Sequence, residues 1–243
     1  LHWDAKSKDN AFSFGQSTAG RISIMLLIEQ IDKIISKHHL LNHIFYQAWS
    51  SGQLSHAALQ TYAVQYYHQV KSFPRFISRV HTGCEEIVAR KVLLENLIDE
   101  ELHGTDHPAL WMQFAEGLGV SSQSVKSATP IPETKAMVSK YYELAERDWR
   151  DGLVALYVYE SQVPAVSASK IEGLQRFYNM TDEHAIEFFT AHQLYDVKHA
   201  QQVASLIEAY HNDADALQAA ADAAQVLWGF LDGMCRISNV ACH

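Results

Sequence analysis

Apolar residues recur every three or four positions along almost the whole chain from about residue 22, the period of a helix with one buried face. This pattern predicts helices near 22–37, 40–50, 55–82, 84–103, 108–118, 132–149, 151–163, 165–178, 182–211 and 213–234. Pro74 falls inside the third and is expected to kink it. "SSQSVKSATPIP" (121–132) reads as a linker-like loop, and "NMTDEHA" as a helix start with Thr181 as N-cap. No strand-like alternation lasts more than a few residues, and no internal repeat is evident. The fold class is therefore all-α. The first twenty residues, "LHWDAKSKDNAFSFGQSTAG", carry no period and are expected to form a loose leader (1–20) ahead of a single helical domain (21–243).

One helical face is unusual. In "HQLYDVKHA", His192, Asp196 and His199 stand at offsets of 0, 4 and 7. At about 100° per residue the carboxylate lies about 40° to one side of His192 and His199 about 20° to the other. Ala185, Phe188, Val203 and Leu206 occupy the same sector, so three polar groups point at the core, where an unpaired polar atom is costly. Two further acids behave alike. Glu160 in "ALYVYESQVP" shares its sector with Trp149, Leu153 and Leu156, and Glu100 in "NLIDEELHGTDHPALW" with Ala89, Leu93 and, less closely, Leu97. His107 follows Glu100 by seven residues, although Gly104 and Pro108 interrupt the helix between them.

Three buried carboxylates and three imidazoles make a metal-ligand set. Without cations the acids repel one another and at least one takes up a proton, whereas two divalent ions more than balance them. Six ligands without a thiolate do not suit a tetrahedral structural zinc. Mixed imidazole and carboxylate favour iron or manganese, and helical bundles hold such pairs between facing helices. Each acid alone could instead be a hydrogen-bonded core residue. Six core-facing positions together are harder to explain that way.

Composition narrows the setting. With 243 residues, 48% of them hydrophobic, the chain is long enough for a sizeable core. The formal net charge of −9, with no Lys/Arg-rich run, argues against nucleic acid or an anionic membrane as partner. Cys84, Cys235 and Cys242 are too few for a disulfide framework, and the run "ISIMLLI" is too short to span a membrane, so a cytoplasmic setting is expected. Among fourteen histidines, His38, His39, His56 and His68 read as surface residues or local caps. Among eleven tyrosines, Tyr62 and Tyr66 share a helix face and Tyr157 shares the sector of Glu160, a pattern that ordinary core packing explains. By pattern alone Lys170, in "VPAVSASKIEGL", reads as a surface lysine.

The segments "HIFYQAWSSGQL", "YYHQVKSFPRF", "LLENLIDEELHGTDHPALW", "ALYVYESQVP" and "FFTAHQLYDVKHA" resemble the family of the chlamydial protein associating with death domains (CADD), over about residues 26–234. The resemblance implies a haem-oxygenase-like helical fold, shared with the protein C oxidase of pyrroloquinoline quinone synthesis (PqqC) and the TenA thiaminases. It implies a dimetal (Fe/Fe or Fe/Mn) oxygenase using O₂ and an external reductant to make para-aminobenzoate for folate. Carried over by motif, the ligands are Glu100, His107, Glu160, His192, Asp196 and His199, the six already marked. The resemblance further implies that Tyr46 supplies the aromatic ring and Lys170 the amino group, with Tyr62 and Tyr159 nearby in electron or radical transfer. Four residues before His192 the family has tyrosine and this chain has Phe188. Two other readings stay open: an oxidase of the PqqC type acting on an external small molecule, and a helical interaction module with a protein partner by analogy with death-domain binding. A TenA-like thiaminase fits less well, since no cysteine sits in a matching motif. A homodimer is compatible with either class.

Overall fold

The structure, a computed structural model, describes residues 18–240. Every regular element among them is helical. In chain order these are α1 (Thr18–Lys37), a 3₁₀ turn (Leu40–Asn42), α2 (Ile44–Ser50), α3 (His56–Val70), α4 (Phe73–Gly83), α5 (Ile87–Glu101) and α6 (His107–Gly117). There follow α7 (Ser122–Ser127), α8 (Pro132–Arg147), α9 (Trp149–Glu160), α10 (Val163–Phe177), α11 (Glu183–Tyr210) and α12 (Asp213–Ser238). No helix among the described residues is long and apolar enough to cross a membrane. The leader expected over residues 1–20 lies outside the described residues except for Thr18–Gly20, which already belong to α1.

Three local expectations are corrected. The stretch 55–82 is two helices rather than one kinked helix, because the chain tightens at Lys71 and Ser72 and Pro74 falls in the first turn of α4. A first-turn proline gives up an N–H that has no partner there anyway, so it starts a helix more readily than it bends one. The linker at 121–132 contains α7, begun by Ser121, whose side chain accepts from the Ser124 N–H. The N-cap of α11 is Asp182 rather than Thr181; its carboxylate accepts from His184 N at 3.1 Å.

α9 lies at the centre, packed by α4, α8, α11 and α12. All residues from Asp151 to Glu160 are buried, and a helix apolar on every side has no solvent face to offer. Small residues bring the layers together. A Cβ on Gly152 would collide with Val80 of α4, and one on Gly173 would lie 2.7 Å from Trp49 Cδ1. The second contact seats α10 on α2, and the Trp49 indole N–H donates to the Lys170 carbonyl at 3.3 Å. On α12, Ala216, Ala219, Ala220, Ala223 and Ala224 are all buried along the face packed on α8 and α9.

Candidate metal centre and its tyrosine–lysine neighbour

The six predicted ligands are all buried, none more than 3% exposed. They fall into two groups. Glu100, near the end of α5, and His107, the first residue of α6, are joined by a tight turn through Gly104 (φ +75°) rather than by one helix. Asp106 fixes the start of α6 by accepting from Ala109 N at 2.8 Å, with Pro108 in the first turn. His107 Nδ1 comes 2.9 Å from Glu100 Oε2, and the His107 and His192 rings lie 4.4 Å apart. One ligand atom from each of Glu100, His107 and His192 falls within 4.8 Å of the others, a geometry that could hold a metal ion.

The second group is Glu160, the last residue of α9, with Asp196 and His199 on α11. His199 Nδ1 lies 3.9 Å from Glu160 Oε1 and 3.8 Å from Asp196 Oδ1. Outer partners set the imidazoles. The carbonyl of Phe188 lies 2.7 Å from His192 Nδ1, which places the ring proton there and leaves Nε2 as a ligand atom. Asp99 Oδ2 lies 2.8 Å from His199 Nε2, so that nitrogen donates and Nδ1 keeps its lone pair. Asn96 donates to Glu160 Oε1 at 2.6 Å.

Glu160 Oε2, Asp196 Oδ2 and His199 Nδ1 are buried and accept from nothing in the protein. Burial first, then the Asp196 charge, pushes Glu160 up to about 8. Burial, then Glu100, drives Asp196 well above the usual carboxylate range. Burial, then His107, drives His192 well below the usual imidazole value. For His107 burial pulls downward, but the Glu100 carboxylate outweighs it and the net shift is upward. Buried acids with unpartnered oxygens beside imidazoles with free lone pairs make a donor set suited to a cation. The oxygen and nitrogen donor set, free of thiolate, fits iron or manganese.

Tyr46 on α2, Tyr62 on α3 and Lys170 on α10 meet beside this centre, all buried. The Tyr46 and Tyr62 hydroxyls are 2.7 Å apart, and Lys170 Nζ donates to Tyr62 Oη at 2.7 Å. Nζ also lies 4.8 Å from the centroid of the Tyr46 ring. Burial drives Lys170 well below the lysine range, favouring the neutral amine, and the same burial raises both phenols. Lys170, a surface residue by pattern alone, is 5% exposed. Its helix turns that face onto α2, a contact that no single-helix pattern displays.

Tyr159 follows α9 to the second group, next to Glu160, and its hydroxyl accepts from Tyr66 at 2.8 Å. Tyr66 in turn stacks on Tyr62 with centroids 5.2 Å apart, so it bridges the two regions. Sequence reasoning noted its shared face with Tyr62 and gave it no role. Asp99 and Asn96 were also missed. Asn96 stands four residues before Glu100 on the same face, a legible signal, whereas Asp99 is off that face and nothing marked it. Phe188 lays its ring 4.1 Å from that of His192 and brings no hydroxyl. Of the four histidines set aside, His39 caps the 3₁₀ turn by accepting from Leu41 N, and His56 is exposed. His68 is a correction, since it is 8% exposed and belongs to the interior.

A helical bundle of this architecture, with acids and imidazoles gathered in its core, is the framework of a haem-oxygenase-like redox protein. The chain belongs to the family of iron-containing redox enzymes, whose sequence profile matches residues 60–230. It is 39% identical to the 4-aminobenzoate synthase of Chlamydia muridarum, covering 90% of this chain and 94% of the relative. It is likewise 39% identical to the 4-aminobenzoate synthase of Nitrosomonas europaea, over 85% of this chain and 89% of the relative. A TenA homologue from Pseudomonas syringae pv. tomato has the same fold, with a TM-score of 0.75 at 18% identity over 87% of this chain and 92% of that one.

Proposed function

We propose that this chain makes 4-aminobenzoate, building the ring from its own Tyr46 and taking the nitrogen from Lys170. The observation that carries the reading is the buried contact between them: an amine 4.8 Å from the centroid of the ring it would aminate, tied to it through Tyr62. The relatives named 4-aminobenzoate synthase support the product. Two iron ions, or iron with manganese, held by Glu100, His107 and His192 and by Glu160, Asp196 and His199, would supply oxidising power together with O₂ and an external reductant.

The chain's own residues do the rest. Tyr62 fixes the Lys170 amine by a hydrogen bond, and burial favours the unprotonated, nucleophilic form of that amine. Tyr46 is 3% exposed, so bulk water is kept from its ring. With no hydroxyl at Phe188, Tyr159, hydrogen-bonded to Tyr66, and the Tyr66 ring stacked on Tyr62 are the route for electrons between the acid–imidazole groups and Tyr62. A consumed side chain permits about one turnover per chain, since nothing replaces the ring.

Protein grown with ring-labelled tyrosine and supplied with iron, reductant and O₂ tests the reading. Labelled 4-aminobenzoate should appear, with a matching mass loss in the peptide holding Tyr46. Tyr46→Phe should keep fold and metals and give no product. Many turnovers from an added small molecule, with Tyr46 intact, would overturn the self-consuming route in favour of an ordinary oxidase.

A further inference from the structure

Between the end of α9, the start of α10 and the middle of α11 lies a cavity of about 310 Å³. Its inner wall holds Glu160 and Asp196, 1% and 2% exposed, each with a carboxylate oxygen that has no partner in the protein. Its outer wall holds Ala165 and Val197, both exposed. Asp196, Ala200 and Ala204 follow one another at four-residue steps along α11, so a stripe of short side chains runs outward from the carboxylate. Neither Tyr46, Tyr62 nor Lys170 lines this space.

We propose that this cavity is the inlet by which dioxygen reaches the Glu160–Asp196–His199 group, an inference that rests on that group holding a redox metal. All six candidate ligands are closed off from bulk water, so a gaseous reactant needs a passage. The passage is floored by two carboxylates and otherwise bordered by Ala, Val, Pro and uncharged polar groups. A charged organic acid entering it would have to shed its hydration among these largely apolar walls, whereas a small neutral apolar molecule meets no such cost. It also delivers its contents to the carboxylate group without exposing the buried lysine to solvent.

Xenon, an apolar probe of comparable size, reads the cavity independently of turnover. Metal-free crystals pressurised with xenon should show it between Ala165, Ala200 and Ala204, and Ala204→Phe should exclude it. In iron-loaded protein, the rate at which dioxygen oxidises the bound ferrous ions, followed optically, should fall several-fold in Ala204→Phe and in Ala165→Phe at low dioxygen. It should recover as dioxygen is raised, with iron content unchanged and Ala204→Ser behaving as wild type. Xenon bound elsewhere, or a dioxygen dependence unaltered in both bulky variants, overturns the inlet. Neither readout needs 4-aminobenzoate, so a wild-type protein that made none would defeat the proposed reaction while leaving the inlet to be judged by these two measurements.

Discussion

The acid–imidazole groups and the Tyr46–Tyr62–Lys170 cluster occupy the same core, yet they handle their polar atoms differently. In the first, Glu160, Asp196 and His199 leave acceptor atoms with no partner, and burial pushes both acids towards protonation. In the second, hydroxyl, hydroxyl and amine satisfy one another in a chain of 2.7 Å contacts, and burial disfavours the charged form of each. An unsatisfied buried site is built for something absent from the chain, while a satisfied one is complete in itself. On the proposed function the difference is that between a metal-binding site and a preorganised reactant, and four substitutions press on it.

Glu160→Ala should produce the largest change. It removes one metal ligand, so iron content should fall by about one ion per chain and product formation should cease, as elemental analysis and product assay would show. In metal-free protein the loss of stability should be small, because relief of a buried acid with an unpartnered oxygen offsets the lost bond from Asn96. A lower melting point together with full iron occupancy would remove Glu160 from the metal site.

Lys170→Met should also abolish amination while keeping the metals. Its stability signature depends on pH. The folded-state pKa of Lys170 lies well below its ordinary 10.5, so the unfolded chain binds more protons and wild-type stability rises with pH through that window, other groups aside. The methionine variant should therefore be the more stable at neutral pH. The advantage should shrink as the pH climbs towards 10.5, and thermal melts of both proteins across that range would test it.

Asp99→Asn should act more mildly, on the first region alone. Asp99 accepts from both His199 and His103, and these bonds outweigh burial to hold its carboxyl below the usual range. Losing that charge behind His199 should weaken metal affinity roughly 10–100-fold, measured by competition with a chelator. Tyr66→Phe should act most mildly on the metals and cost about 1 kcal/mol of stability for the lost hydroxyl bond to Tyr159. It should slow product formation with iron unchanged, since it takes the phenol from the ring that links Tyr159 to Tyr62; an unchanged rate would remove Tyr66 from the route.

Much of the acid–imidazole region was legible because its information is local. The 0, 4, 7 spacing of His192, Asp196 and His199 puts three polar groups on one buried stripe whatever else the chain does. Glu160 and Glu100 announced themselves on their own stripes in the same way, and the all-α class followed from a period that hardly lapses. The six residues are sorted into two groups by contacts between helices. Glu100 and His107 meet through a glycine turn, and Glu160 meets α11 across a packing interface. The tyrosine–lysine region was legible only through family resemblance. Lys170 lies on a helix whose apolar period says little about a partner 124 positions earlier (170 minus 46), and its burial depends on Gly173 letting α10 settle against Trp49. Where Pro74 begins a helix, where Asp99 reaches and which way His68 faces were likewise decided by packing. Periodicity fixes which face of each helix turns inward; which inward faces then touch is a property of the assembled core, set by shape and small residues that a one-dimensional pattern does not carry.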